Sequence, residues 1–137
     1  MSVKVSERTD GDLLVIVKAK RMAAHTLRLT MNEKVFPKRY RFTLTNKIVD
    51  KAFSIYTLLY EANEMYPHSQ KELDVRLYNQ RLAMAYCRSL MSMIEIAKET
   101  FGLEEKKTEY WTSMIFEVRI MTAKWLQKDV ERFKDKF

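Results

Sequence analysis

The residues best suited to chemistry in this chain are cations set at helical spacing. Lys18, Arg21, His25, Arg28 and Asn32 recur every three or four positions, so one helix would carry them as a single stripe. Lys34, Lys38, Arg39, Arg41 and Lys47 then gather around Pro37, with Tyr40 and Phe42 interleaved among them. Phosphates attract cations and unpaired bases stack on aromatic rings, so this mixture suits a nucleic acid. The candidate nucleic-acid-binding residues are Lys18, Arg21, Arg28, Lys34, Lys38, Arg39, Arg41 and Lys47. The competing reading is that the cations solvate an outer face and that Tyr40 and Phe42 fasten the corner to the core. The charge distribution weighs towards the first and leaves both open. The 137 residues carry a net charge of +7, yet residues 18–51 hold ten Lys or Arg against two acids. An anionic partner follows, with nucleic acid first and a membrane surface second.

Other constellations are poorer. Arg21 and His25 lie too close together for a nuclease pair, and no second motif supports them. One Cys and two well-separated His cannot assemble a zinc site, and neither His sits in the Glu-x-x-His context of a di-iron bundle. Two isolated glycines exclude a glycine-rich phosphate loop. No catalytic residue, metal or cofactor is expected, and the chain reads as a non-enzyme. Cys87, Trp111, Trp125 and most of the nine Met fall on or beside apolar rows and read as packing, with a subunit interface as the sharper alternative for the two Trp. A single Cys allows no intrachain disulfide, which fits a reducing, cytoplasmic setting. No apolar run reaches the roughly 18 residues of a membrane span, and Leu13 to Val17 is too short for a secretory core.

The elements that must position these residues are helices. With two Gly and two Pro, long stretches run without a breaker. Residues 1–11 read as a flexible tail and 12–137 as one domain. A first helix, from Asp12 to just before Pro37, has the stripe Val15, Ala19, Met22, Thr26, Leu29 and Phe36; Leu13 to Val17 is also compatible with a short strand. Pro37 forces a corner over 37–42, after which Thr43 or Thr45 caps a second helix. That helix carries the row Leu44, Ile48, Ala52, Ile55, Leu59 and Ala62. A second row, Val49, Phe53, Tyr56 and Tyr60, is either core or a contact with another copy. Ser69 and Glu72 fit a capping box before a third helix over 70–101 with Leu73, Leu77, Met84, Cys87, Met91 and Ile94 inside. Gly102 ends it, and a fourth helix follows over 104–135 with Trp111, Met114, Val118, Met121 and Trp125 along one side. The fold class is all-α, an antiparallel up-down-up-down four-helix bundle.

The segment Asn32-Glu33-Lys34-Val35-Phe36-Pro37-Lys38-Arg39-Tyr40-Arg41-Phe42-Thr43-Leu44, with Lys47-Ile48 and Glu61-Ala62-Asn63, resembles a bacterial four-helix-bundle family. That family includes the accessory variability determinant proteins of diversity-generating retroelements and the 23S ribosomal RNA intervening-sequence proteins. The likeness runs from about residue 20 to 130 in helix order and length, and is specific in sequence only at the Phe-Pro corner and the opening of the second helix. The intervening-sequence branch continues with Ser-Ile-Pro and Ala-Glu-Gly, where this chain has Ser54-Ile55-Tyr56 and Glu61-Ala62-Asn63. The retroelement branch is therefore the nearer resemblance. It implies a homopentamer with a basic surface that binds a reverse transcriptase together with RNA or DNA and assists mutagenic cDNA synthesis without catalysing it.

Overall fold

Seven-residue spacing organises the interior. In a computed structural model, which describes residues 10–137 and side chains from Leu14 onward, the described residues form four helices and no strand. They are α1 (Asp10–Thr30), α2 (Asn46–Glu64), α3 (Gln70–Phe101) and α4 (Glu105–Arg132). Val15 and Met22, Ile48 and Ile55, Cys87 and Ile94, and Trp111, Val118 and Trp125 are each seven apart and all buried. That repeat keeps one seam of a helix against its neighbours, as in knobs-into-holes packing. Each helix packs on its neighbours in sequence, and α1 also packs on α4. The main core cluster is shared by all four, and a smaller one gathers Leu73, Leu77 and Phe133.

α1 begins at Asp10, two residues before the expected start, and takes in Leu13 to Val17, so the strand alternative is excluded. The rest of the expected tail, 1–9, lies outside the described residues. The helix also stops earlier than expected, at Thr30 and not at Phe36. The Thr30 hydroxyl donates back to the Thr26 carbonyl (2.9 Å), and Asn32 Oδ1 accepts the Lys34 N–H (3.1 Å), a local turn that competes with further helix. Phe36 is still buried, but from a loop: its ring meets Phe101 and Trp111 edge-on.

The proline corner differs from expectation as well. Neither Thr43 nor Thr45 caps α2; Thr45 is itself helical and its side chain makes no cap bond. A 3-10 turn at Lys38–Tyr40 runs directly into a π-helical turn at Arg41–Thr45, so the chain is already wound before α2 starts. Ser69 does cap α3, accepting the Glu72 N–H (3.2 Å), but Glu72 reaches the N–H of His68 (2.7 Å) and not that of Ser69. Gly102 ends α3 at φ 66°, a left-handed position that any side chain strains. Lys98 then pairs with Glu105 (2.7 Å) across the turn, and that bond raises the Lys98 pKa. α4 ends at Arg132, three residues short of expectation.

The row Val49, Phe53, Tyr56 and Tyr60 is not core: Phe53 and Tyr60 are exposed and the other two half-buried. Arg76, Gln80 and Asp129 occupy positions in the buried seams of α3 and α4. Arg76, 0% exposed, donates from Nε and Nη2 to the Asp129 carboxylate (2.7 and 3.3 Å) and from Nη1 to the Ala62 and Met65 carbonyls (both 3.1 Å). Gln80 and Arg132 donate to the same carboxylate (2.7 and 2.8 Å). This cluster ties the end of α2 to α3 and α4. Among the described residues no helix is long and apolar enough to cross a membrane.

Candidate nucleic-acid interface

The cations of α1 owe their position to the phase of that helix. The buried seam of α1 passes through Val15, Ala19, Met22 and Thr26, which turns Lys18, Arg21, His25 and Arg28 towards α4. Two contacts mark that side: Lys18 Nζ lies 3.2 Å from Glu117, and the His25 ring meets Tyr110 edge-on at 5.4 Å. The seam itself is pinned by polar groups. The Trp111 indole N–H donates to Thr26 Oγ1 (2.9 Å), whose own hydroxyl donates to the Met22 carbonyl (2.9 Å). Trp111 is thus a core residue with its one polar atom satisfied, and Trp125 is likewise buried.

Of the eight candidate cations, two have carboxylate partners. Lys18 pairs with Glu117, and Arg41 pairs with Glu33 at 3.2 Å. Both pairs are solvent-accessible, where an ion pair contributes about 0–1 kcal/mol, so a polyanion can compete for these cations. Arg21, Arg28, Lys34, Lys38, Arg39 and Lys47 are exposed and have no carboxylate within ion-pair distance among the described residues. The two corner aromatics part company. Tyr40 packs on Phe101 (5.4 Å) beneath the Arg39 guanidinium (4.9 Å) and fastens the corner to α3. Phe42, in the π-helical turn, is 87% exposed. A π-turn inserts an extra residue and so re-aims the side chains around it.

Arg28 and Lys34 come together at a cleft of about 420 Å3 between α1, the loop after it and the α3–α4 turn. His25, Asn32 and Lys107 also line it, over an apolar floor that includes Leu29, Val35, Phe101 and Leu103. The cleft is open to solvent, and the corner adjoins it through Phe101. Lys18 and Arg21 lie farther along, in a separate groove of about 370 Å3 with Tyr110 and Glu117. Lys47 lines none of these depressions. The eight residues therefore divide into a groove, a cleft rim and a corner, with Lys47 apart.

Sequence reasoning missed Lys106, Lys107 and Tyr110. They line a hollow with His25 and Leu29, so α4 extends the stripe of α1, Lys106 as a cation without an ion pair among the described residues and Lys107 as one paired with Glu104 at 3.7 Å. Tyr110 is 60% exposed, an aromatic ring bordered by cations. The segment charge hid them, because the acids of α4 nearly cancel its Lys and Arg. The signal was the phase of α4: with Trp111 and Thr108 buried, positions 106, 107 and 110 flank the seam. Burial, and then the charge of Arg28, lower the His25 pKa below 6.5, so its imidazole is neutral at neutral pH. No three His, Cys, Asp or Glu among the described residues stand close enough to hold a metal ion. Burial pushes the Cys87 thiol up to about 12, which leaves it inert.

No protein-family profile, curated protein or solved structure matches this chain.

Proposed function

We propose that this chain is a non-catalytic nucleic-acid-binding protein that works through the groove, cleft and corner around the α3–α4 turn. The observation that carries this reading is that six of the eight candidate cations are exposed without a carboxylate partner among the described residues, and that the rings of Phe42 and Tyr110 are exposed as well. A surface that only solvates the fold tends to mix its charges and pair them. Phosphates would take Arg28, Lys34, Lys38 and Arg39 as point contacts, and splayed bases would meet the rings.

The resemblance at the Phe-Pro corner extends the proposal. The chain would serve a diversity-generating retroelement in the cytoplasm, binding its reverse transcriptase together with RNA or DNA and assisting mutagenic cDNA synthesis. The four helices would run up-down-up-down and antiparallel. Support comes from where their ends meet: Phe36 and Tyr40 lie against Phe101 at the close of α3, and the last residues of α2 bond Arg76 near its start. A homopentamer follows from the same resemblance.

A second reading, a protein-only adaptor, draws on the apolar side chains left outside. Leu27 and Met31 on and after α1, and Phe53 and Tyr60 on α2, are all exposed. Binding to a single-stranded RNA oligomer separates the two readings. The nucleic-acid protein loses affinity steeply as salt rises, and loses more when Lys38 and Arg39 become Ala. An adaptor leaves the oligomer unbound at any salt.

A further inference from the structure

We infer that the cleft between α1 and the α3–α4 turn receives one unstacked nucleotide of a single strand, base inward and phosphate at the rim. This deepens the nucleic-acid reading above and rests on it. The floor carries the first part of the case. Leu29, Val35, Phe101 and Leu103 are half-buried and apolar, and Phe36 and Trp111 close the cleft behind them. Those two rings interlock edge to face (6.0 Å, 79°), and the Trp111 N–H is already committed to Thr26. The floor therefore offers an apolar contact and no hydrogen bond from its side chains. A group that fits has an apolar face. At about 420 Å3 the cleft lies within the roughly 300–1,000 Å3 range of small-molecule sites.

The rim supplies what the floor lacks. Arg28 and Lys34 bring two cations without carboxylate partners among the described residues, which suits a phosphate next to the base. Among the described residues the Asn32 side chain is engaged only through its Oδ1, so its amide N–H groups remain for a base edge. The first turn of α4 forms part of the wall, where the Glu104 carboxylate lines the cleft and lies 3.7 Å from Lys107, so that neither adds a free charge to the rim. Beyond the rim, the hollow lined by Lys106, Lys107 and Tyr110 continues the cationic track, which favours a nucleotide within a strand over a free one. The cleft beneath the α2–α3 turn makes the contrast. It is about as large, at about 490 Å3, but three carboxylates line it, Glu61, Glu64 and Glu72, against the single Glu104 of the first cleft, which pairs with Lys107.

The test uses the intact protein and two eight-residue oligomers of equal charge, oligoadenylate and a base-free sugar-phosphate chain. The indole N–H signals of Trp111 and Trp125 are followed by NMR. Trp111 lines the cleft, while Trp125 lies beside Arg76 and serves as an internal control. Oligoadenylate should shift the Trp111 signal and leave Trp125 in place, and it should bind about fivefold or more tightly than the base-free chain. Leu103→Phe, which fills the cleft and removes no cation, should abolish that difference; Leu29→Phe is the second filler if the first variant loses helix by circular dichroism. Equal affinity for the two oligomers, or an unmoved Trp111 signal at saturation, overturns the inference while leaving a purely electrostatic nucleic-acid surface intact. If neither oligomer binds at low salt, the nucleic-acid reading itself falls and takes the inference with it.

Discussion

Arg76 and Arg28 are the same residue type, both on helices of one bundle, and the molecule uses them oppositely. Around the α2–α3 turn, Arg76 is fully buried and gives Nε, Nη1 and Nη2 to Asp129 and to two backbone carbonyls. Around the α3–α4 turn, Arg28 is exposed at a cleft rim with no carboxylate within ion-pair distance among the described residues. A charge taken out of water must be met by the protein in full, whereas a charge left in water can be given to a ligand. The first arrangement fixes how α2, α3 and α4 fit together, and the second leaves binding capacity unused by the fold.

The heaviest loss should come from the buried end. Asp129→Ala strands the Arg76 guanidinium without its counter-charge and should cost about 3–5 kcal/mol in denaturant unfolding. The double change Arg76→Met with Asp129→Leu removes both charges and should recover most of that loss. A loss in the double variant as large as in the single one would show that the cluster is no charge-paired unit. At the other turn, Gly102→Ala forces a side chain into the left-handed region and should cost about 1–2 kcal/mol. There is space for the added methyl group, with nothing within 4 Å, so the cost is one of backbone conformation alone.

Cys87 reports on the same contrast without a change in fold. Its thiol is buried and held near 12, so it should resist alkylation until the bundle opens. Asp129→Ala should therefore accelerate labelling with iodoacetamide, while Lys38→Ala and Arg39→Ala should leave the rate unchanged. A weaker effect concerns His25, which faces Arg28 on its own helix and Tyr110, Lys106 and Lys107 on α4. Its folded pKa lies below the 6.5 of the unfolded chain. The unfolded state thus takes up the proton first, and His25 withdraws a little stability as pH falls below about 6.5. A bound polyanion beside Arg28 should reverse the sign of the local field and raise the NMR titration midpoint of His25. An unmoved midpoint in the complex would place the strand elsewhere.

Much of the scaffold is legible in the sequence because helical periodicity is a strong signal. The seams of Val15, Met22 and Ile48, the Ser69 cap and the Gly102 stop all follow from spacing and residue type. The boundary after α1 is not, because Phe36 is apolar and in phase yet reaches the core from a turn. Arg76, Gln80 and Asp129 also escape notice, since a charged residue in an apolar row reads as a surface position unless its partner, 53 residues away, is known. The candidate interface is half legible. The cations of α1 and the corner stand out by local density, but Lys106, Lys107 and Tyr110 join them only through the packing of α4 on α1. From sequence Phe42 is either a fastener or a stacking ring, and its exposure separates it from Tyr40.

The proposed binding rests on exposed cations neutralising phosphates, and the salt dependence of RNA affinity would count the phosphates neutralised. For a single-stranded oligomer, log affinity against log salt should fall with a slope of about −0.7 per phosphate. Replacing Arg28, Lys34, Lys38 and Arg39 by Ala should flatten that slope by roughly 0.7 for each phosphate no longer neutralised, while leaving the unfolding curve unchanged. An affinity indifferent to salt, or the same slope in wild type and the four-fold variant, would mean that these cations do not hold a nucleic acid.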